Sequence, residues 1–538
     1  MTLIFNNPVV LGGGGFNPDP SIIRNGSDYF LVTSSFEYFP GIPIYQSKDL
    51  IKWELIGHAL TRRSQLDIRT PEPGGGIWAV TIREHGGVFY VITSCFDRYR
   101  PQDDDRVWPR GFYVETNDIW SGNWSEPVFF DVCGFDHDLF WDDDGTVYLS
   151  ATYRKRHRTP VTPSIKDFAI HICTVDLATG RSTSQPKLIR ESTSGVAEGS
   201  HILKKGGFYY LFTAEGGTES GHCEWVSRSA KGPFGPWELA SNNPLWRNGT
   251  EDDVQNTGHA DFVEDEKGNW WAVMLGVRPL KINGRFKTSV FGRESFLAPM
   301  NWVDDWPVIN RGQKIALQSS APGLYHYEKP VAWRDDFSGA ELGLGWYRKN
   351  TPMKVDYSLS EKPGVLRLLG SPYTLSIPTC PTLFLRKQTA RNGTWSTRLS
   401  FHPTSSNTES GAVLWWNYFT YSSIGIRLSP SESAQRVIRF RPASGEDVTV
   451  PLTSKVSTVE FFIHSSDEKY EFGFHELSSD KHIDDAEGVR WMGEVTTEDM
   501  TVDPPVGALF TGMMFGLYAF GEMEGCLVPA DFEYAEFK

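Results

Sequence analysis

Asp136-His-Asp-Leu-Phe-Trp-Asp-Asp-Asp-Gly-Thr-Val-Tyr148 opens on an acid, runs through a short apolar stretch, turns at a glycine and returns on an aromatic strand. That is the signature of a β-hairpin. The same figure occurs four more times, at Asp19-Pro-Ser-Ile-Ile-Arg-Asn-Gly-Ser-Asp-Tyr-Phe30, Trp78-Ala-Val-Thr-Ile-Arg-Glu-His-Gly-Gly-Val-Phe-Tyr90, Glu198-Gly-Ser-His-Ile-Leu-Lys-Lys-Gly-Gly-Phe-Tyr-Tyr210 and His259-Ala-Asp-Phe-Val-Glu-Asp-Glu-Lys-Gly-Asn-Trp-Trp271. The leading residues stand at 19, 78, 136, 198 and 259, steps of 59, 58, 62 and 61 residues. A near-constant period of this length, with strands in every repeat, predicts a β-propeller of five blades. The start of each blade's inner strand then lies near the central axis. Asp19, Trp78, Asp136, Glu198 and His259 are therefore expected to ring one pocket. The plainer reading, in which the acids only satisfy turn amides, does not explain a chemical set at equivalent places.

Around these repeats the chain divides into three parts. Residues 1–315 are assigned to the propeller, with Phe5 to Leu11 read as a strand that closes the ring and Trp53 expected between blades. The run Gly12–Gly15 lacks Gly-x-Gly-x-x-Gly spacing and a following helix, so it reads as a turn rather than a nucleotide loop. Asp97–Gly111 and the basic insert Tyr153–Lys166 read as exposed loops. Residues 316–334, with Ala321-Pro-Gly and Lys329-Pro, read as a linker. From 335 to 538 the period vanishes and short alternating strands follow, such as Trp395–Phe401, Ser423–Leu428 and Tyr470–His475. This pattern predicts a two-sheet β-sandwich whose last strand, Ala530 to Phe537, lies near its first, Trp333–Phe337. The fold class expected is all-β.

Composition narrows the function. The 538 residues carry 52 basic and 67 acidic side chains, a net charge of −15. That disfavours nucleic acid and anionic membranes as partners, and no apolar run has transmembrane length. The start Met-Thr-Leu-Ile-Phe-Asn-Asn-Pro has no basic or apolar leader region. The six cysteines are scattered, without Cys-x-x-Cys. The expectation is a cytoplasmic protein without a disulfide framework, or a secreted one if a leader once preceded Met1. Homo-oligomerisation is left open.

Three carboxylates converging on a pocket with a tryptophan wall point to glycoside hydrolysis. One carboxylic acid protonates the leaving oxygen; one carboxylate activates water or attacks the anomeric carbon. Pro18 and Pro20 stiffen the backbone that aims Asp19. Glu198 suits the acid, with an ionised Asp136 expected to hold its proton. Trp78 offers a platform for a sugar face, and His259 can fix a carboxylate or a hydroxyl. No His-Glu-x-x-His or paired-His spacing supports a catalytic metal.

Taken together in this order, Phe16-Asn-Pro-Asp-Pro-Ser-Ile22, Ser35-Phe-Glu-Tyr-Phe-Pro-Gly41, Gly75-Gly-Ile-Trp-Ala79, Phe135-Asp-His-Asp-Leu-Phe140, Glu198-Gly-Ser-His201, Thr213-Ala-Glu-Gly-Gly-Thr218, Thr257-Gly-His-Ala-Asp261 and Gly292-Arg-Glu294 resemble glycoside hydrolase family 43. Within it, the chain resembles the two-domain β-xylosidase and α-L-arabinofuranosidase group along its whole length. The resemblance implies a five-bladed propeller followed by a concanavalin-like (lectin-like) sandwich, an inverting mechanism and no cofactor in catalysis. Asp19 matches the general base, Glu198 the general acid and Asp136 the residue that modulates the acid, with Asp138 as rival for that role. Phe36, Trp78, Thr218, His259 and Arg293 match the sugar subsite, and Phe510 matches an aromatic lid from the sandwich. A structural calcium in the sandwich is implied as well, with Asp336 and Asp531 as its candidate ligands. The substrate implied is a xylo- or arabinoxylo-oligosaccharide cut from one end. Two departures bear on the choice of sugar: Trp78-Ala-Val-Thr81 replaces the family's Trp-Ala-Pro-His, and the 153–166 insert is long and basic. A retaining fructosidase would require Asn-Asp-Pro-Asn and Glu-Cys, where this chain has Asn17-Pro-Asp-Pro and Glu198-Gly. A sugar-binding propeller without catalysis would lack an acid or a base.

Overall fold

The computed structural model describes residues 2–10, 15–97, 109–155, 167–328, 330–431, 435–453, 457–477 and 488–538. Gly12–Gly14, most of the 97–111 loop and residues 156–166 of the basic insert lie outside the described residues. The chain forms two compact units, one of residues 1–279 and 293–329, the other of 280–292 and 330–538.

The first unit is built from five antiparallel sheets, each starting with one of the repeats. Their inner strands are Ser21–Asn25, Thr81–His85, Phe135–Trp141, Ala197–Lys205 and Gln255–Glu264. Each inner strand touches the next in this order, and the last touches the first, so the circle closes. This is a β-propeller with the inner strands around its axis. The hairpin turns follow from the glycines. His85 pairs with Val88 across Gly86-Gly87, and Lys205 with Phe208 across Gly206-Gly207. All four glycines have positive φ, as a two-residue turn matched to strand twist requires.

Aromatic side chains hold neighbouring sheets together. Trp53 and Tyr45 of the first sheet share a buried cluster with Trp271, Val273 and Leu297 of the fifth, so Trp53 packs between blades as expected. Phe212 and Phe262 bring the fourth and fifth sheets to a ring separation of 4.0 Å. The N-terminal strand, Thr2–Asn6, pairs with Gln318–Pro322. Residues 318–322, read from sequence as linker, are thus a strand of the first unit.

The second unit is a sandwich of an eight-stranded and a six-stranded antiparallel sheet. Trp333 pairs with Phe537, which joins its first and last strands as expected. Between the sheets lie Trp395, Phe461, Phe515, Leu517 and Phe532, with Trp395 and Phe515 stacked at 5.3 Å. Its core also takes Leu280, Val290 and Phe291. These come from the stretch after Trp270–Val277, which sequence order alone places in the fifth propeller sheet.

Candidate active site

The leading residues share a backbone irregularity. Asp19, Asp136 and His259 have φ of +52°, +52° and +53°. Register shifts fall between Phe135 and Asp138, Glu198 and His201, and Gly258 and Asp261. In the second sheet a gap separates Gly76–Ile77 from Thr81–His85. Bulges of this kind re-aim a side chain out of strand alternation. Left-handed φ at a non-glycine residue costs about 1–2 kcal/mol, a cost that concentrates where geometry serves function.

Asp19 is buried and held from two sides. Its Oδ1 accepts from Arg293 Nη1 at 2.9 Å, and its Oδ2 accepts from Ser34 Oγ at 2.7 Å. Arg293 Nη1 also donates to Thr218 Oγ1 at 3.1 Å, and its guanidinium lies 5.3 Å from the Phe36 ring centroid. His259 Nδ1 is 3.8 Å from Asp19 Oδ1. Burial lowers the His259 pKa to about 3, so the imidazole is neutral at ordinary pH and the contact is not an ion pair. Its ring packs on Gly199, where a Cβ would fall 2.9 Å away. Glycine after Glu198 is therefore a packing requirement as well as a φ of +59°.

Asp136 Oδ2 accepts from the Gly199 amide at 3.0 Å, which ties the third inner strand to the residue beside Glu198. Burial raises the Glu198 pKa to about 7, with the charge of Asp19 as the second cause and Arg293 opposing. Asp136 is also pushed well up, first by burial, then by Glu198 and Asp19. Burial is thus the first cause of the raised Glu198 pKa and the charge of Asp19 the second, beside the influence of Asp136 that the sequence reading expected. Three carboxyls in one desolvated ring cannot all ionise near neutral pH. Trp78 is half-buried, fixed by Nε1 donating to Gly74 O at 2.9 Å and by edge contacts with Phe96 and Phe135.

Asp138 does not share the ring. It belongs to a deeper polar layer with Ser21, Arg83, His201 and Asp261, and its carboxylate takes Arg83 Nε and Nη2, each at 2.9 Å. The bulge after Phe135 separates its direction from that of Asp136. Sequence reasoning missed Ser34 and Arg83, and also Glu224, whose carboxyl accepts from the Ala260 amide at 3.2 Å behind His259. A serine at a strand end and an arginine in a hairpin look like surface residues until the ring closes around them.

Phe510 lies in the second unit, half-buried before the strand Met514–Gly521. Asp531 is engaged by Arg367, at 2.8 and 3.0 Å, and by Lys362 at 3.0 Å. Asp336 is exposed and caps Ser338. A carboxylate already neutralised by two cations does not suit calcium, which needs six or more oxygen ligands. These two residues do not fit the ion.

The sequence matches two family descriptions: Glycosyl hydrolases family 43 over residues 5–307 and Beta xylosidase C-terminal Concanavalin A-like domain over 334–538. The chain belongs to glycoside hydrolase family 43. Among its relatives, the non-reducing end α-L-arabinofuranosidase BoGH43B of Bacteroides ovatus is 35% identical over 99% of this chain and 94% of that protein. The xylan 1,3-β-xylosidase of a Vibrio species is 32% identical over 100% and 99%. The solved xylan β-1,4-xylosidase of Bacillus halodurans is 28% identical, with a TM-score of 0.87 and coverage of 99% and 100%. Family 43 is an inverting family, and this family 43 protein is a glycosidase with a propeller and a concanavalin-like sandwich.

The raised acid has a consequence for stability. A carboxyl whose folded pKa is raised contributes stability below its unfolded pKa, and this is lost as pH rises through the folded value. For Glu198 the window runs from 4.5 to about 7. Glu198→Gln removes that loss. It is expected to match wild type at pH 4 and to exceed it by about 1–2 kcal/mol at pH 7.5, after allowance for a half-buried group. Urea unfolding at both pH values measures the difference; equal stability at pH 7.5 would contradict the raised pKa.

Proposed function

We propose that this glycosidase is exo-acting and releases β-1,4-linked xylose, α-L-arabinofuranose or both from xylan-derived oligosaccharides, with Asp19 as base and Glu198 as acid. The observation that carries the reading is the unequal treatment of the carboxyls in one ring. Asp19 carries the arginine and a hydroxyl donor, the surroundings of a carboxylate. Glu198 keeps a proton up to about pH 7.

In this mechanism Asp19 takes a proton from water as the water oxygen bonds to the anomeric carbon. The bond from that carbon to the leaving oxygen breaks on the opposite face, and Glu198 gives its proton to that oxygen. Asp136, through the Gly199 amide, orients the segment that carries Glu198. Arg293, Thr218, Phe36, Trp78 and neutral His259 shape the sugar site. Xylopyranose and arabinofuranose present similar hydroxyls, and relatives named for each sugar are consistent with one pocket taking both.

Comparison of kcat/KM on an aryl β-xyloside and an aryl α-L-arabinofuranoside tests the substrate class. Turnover of at least one is expected, with an alkaline limb near pH 7 as Glu198 loses its proton. Oligosaccharide binding by calorimetry without turnover of either would replace the reading with a sugar-binding propeller.

A further inference from the structure

Below the ring, each inner strand contributes one side chain to the deeper layer: Ser21, Arg83, Asp138, His201 and Asp261. Arg83 is its centre. A guanidinium has five N–H donors in a planar fork, and here Nε and both terminal nitrogens meet polar partners. Nε and Nη2 reach the two oxygens of Asp138, each at 2.9 Å. Nη2 also reaches His201 Nδ1 at 2.9 Å. Nη1 reaches Asp261 Oδ2 at 2.8 Å and Ile82 O at 2.9 Å. Ser21 completes the circle, with Oγ donating to Asp261 Oδ2 at 2.6 Å and accepting from the Ile82 amide at 3.0 Å.

The layer is joined to the catalytic ring through short stretches of backbone. Ser21 follows Asp19 by two residues, Asp138 follows Asp136 by two, His201 follows Glu198 by three, and Asp261 follows His259 by two. The bulges that aim the ring lie in these steps. On the far side a cavity of about 320 Å³ is lined by Arg24, Arg83, Glu84, His201, Asp261 and Trp270. Its lining residues occur later along the inner strands than the ring does, so it opens toward the other end of the axis. Arg83 is the most exposed member of the charged group at 17%, against 2% for Asp138 and 5% for Asp261.

We propose that the propeller axis is a binding site for a planar guanidinium-type cation, filled in this chain by its own Arg83 and reached through the far-side cavity, and that this cation holds the catalytic ring in register. Arg83 is then a positioning residue. It touches no substrate but fixes the backbone that aims Asp19, Asp136, Glu198 and His259. Without it, two buried carboxylates lose their shared cation and keep only Ser21, His201 and backbone amides as partners, so the tie between the inner strands weakens. The positioning claim rests on the functional reading above; the cation site rests on geometry alone.

Truncation of the side chain with chemical rescue tests both. In Arg83→Ala, kcat on an aryl glycoside is expected to fall about 30-fold or more with KM nearly unchanged, the pattern of lost transition-state alignment. Guanidinium chloride at low millimolar concentration, against sodium chloride at equal ionic strength, is expected to restore about tenfold of that loss saturably. It should also raise the melting temperature of the variant, but not of wild type. Methylammonium, a cation without the fork, should do neither. Wild-type kcat in Arg83→Ala, or a folded variant that ignores guanidinium in both assays, would overturn the proposal. If Arg83→Ala does not fold, Arg83→Lys replaces it. A kcat about tenfold down at near-wild-type melting temperature supports the site, and unchanged kcat overturns it. Inactive wild-type protein would sink the functional reading instead, leaving the melting experiment to judge the cation site.

Discussion

Asp19→Ala is expected to lose activity on every glycoside tested, by about 10²–10⁴-fold in kcat, because the attacking water loses its general base. The loss should be independent of the leaving group, since Asp19 acts on the opposite face of the sugar from the departing oxygen. The fold should survive. Alanine must hold the same left-handed φ of +52°, a local cost of about 1–2 kcal/mol, and Arg293 keeps Thr218 as a partner. A second consequence concerns the acid. The charge of Asp19 is a cause of the raised Glu198 pKa, so Glu198 should titrate lower in Asp19→Asn, as followed by infrared or carbon NMR of the carboxyl. Near-wild-type kcat in Asp19→Ala, with the protein folded, would remove Asp19 from the chemistry.

Glu198→Ala is expected to behave differently, and the difference identifies the acid. A general acid matters in proportion to the basicity of the oxygen it protonates. On a xylo-oligosaccharide, whose leaving alcohol is poor, kcat should fall about 10²–10⁴-fold. On a dinitrophenyl glycoside, whose leaving group needs no proton, the loss should be far smaller. The alkaline limb near pH 7 should disappear with the side chain. An equal loss on both substrates would mean that Glu198 does not deliver the proton.

Much of the first unit was legible in the chain because its signals are local. Apolar alternation, Gly86-Gly87 and Gly206-Gly207 turns and the near-60-residue period are each written within one hairpin. The leading residues could be found by counting from those turns. What lay hidden depends on closure of the circle. Arg83 stands in Thr81–His85, where alternation with Glu84 and His85 suggests a solvated strand end. Only when five strands meet does it face Asp138 and Asp261. The same holds for the split between Asp136 and Asp138, which strict alternation would turn the same way. The register shift that separates them is a backbone event with no residue signature. The first cause of the acid's raised pKa, burial, was hidden for a related reason. Distance along the ring could be inferred from repeat order, but desolvation and the position of Arg293 beside Asp19 could not. In the second unit, Leu280, Val290 and Phe291 come from a stretch flanked by propeller strands, and sequence order gives no sign that they join the sandwich core.

With Asp19 as base and Glu198 as acid on opposite faces of the sugar, every turnover must invert configuration. Proton NMR during hydrolysis of an aryl β-xyloside, or of an aryl α-L-arabinofuranoside if that is the faster substrate, reads this directly. The first-formed sugar is expected to carry the opposite anomeric configuration to the substrate, α-xylose from the β-xyloside, before mutarotation mixes the signals. A first product with the configuration retained would contradict it.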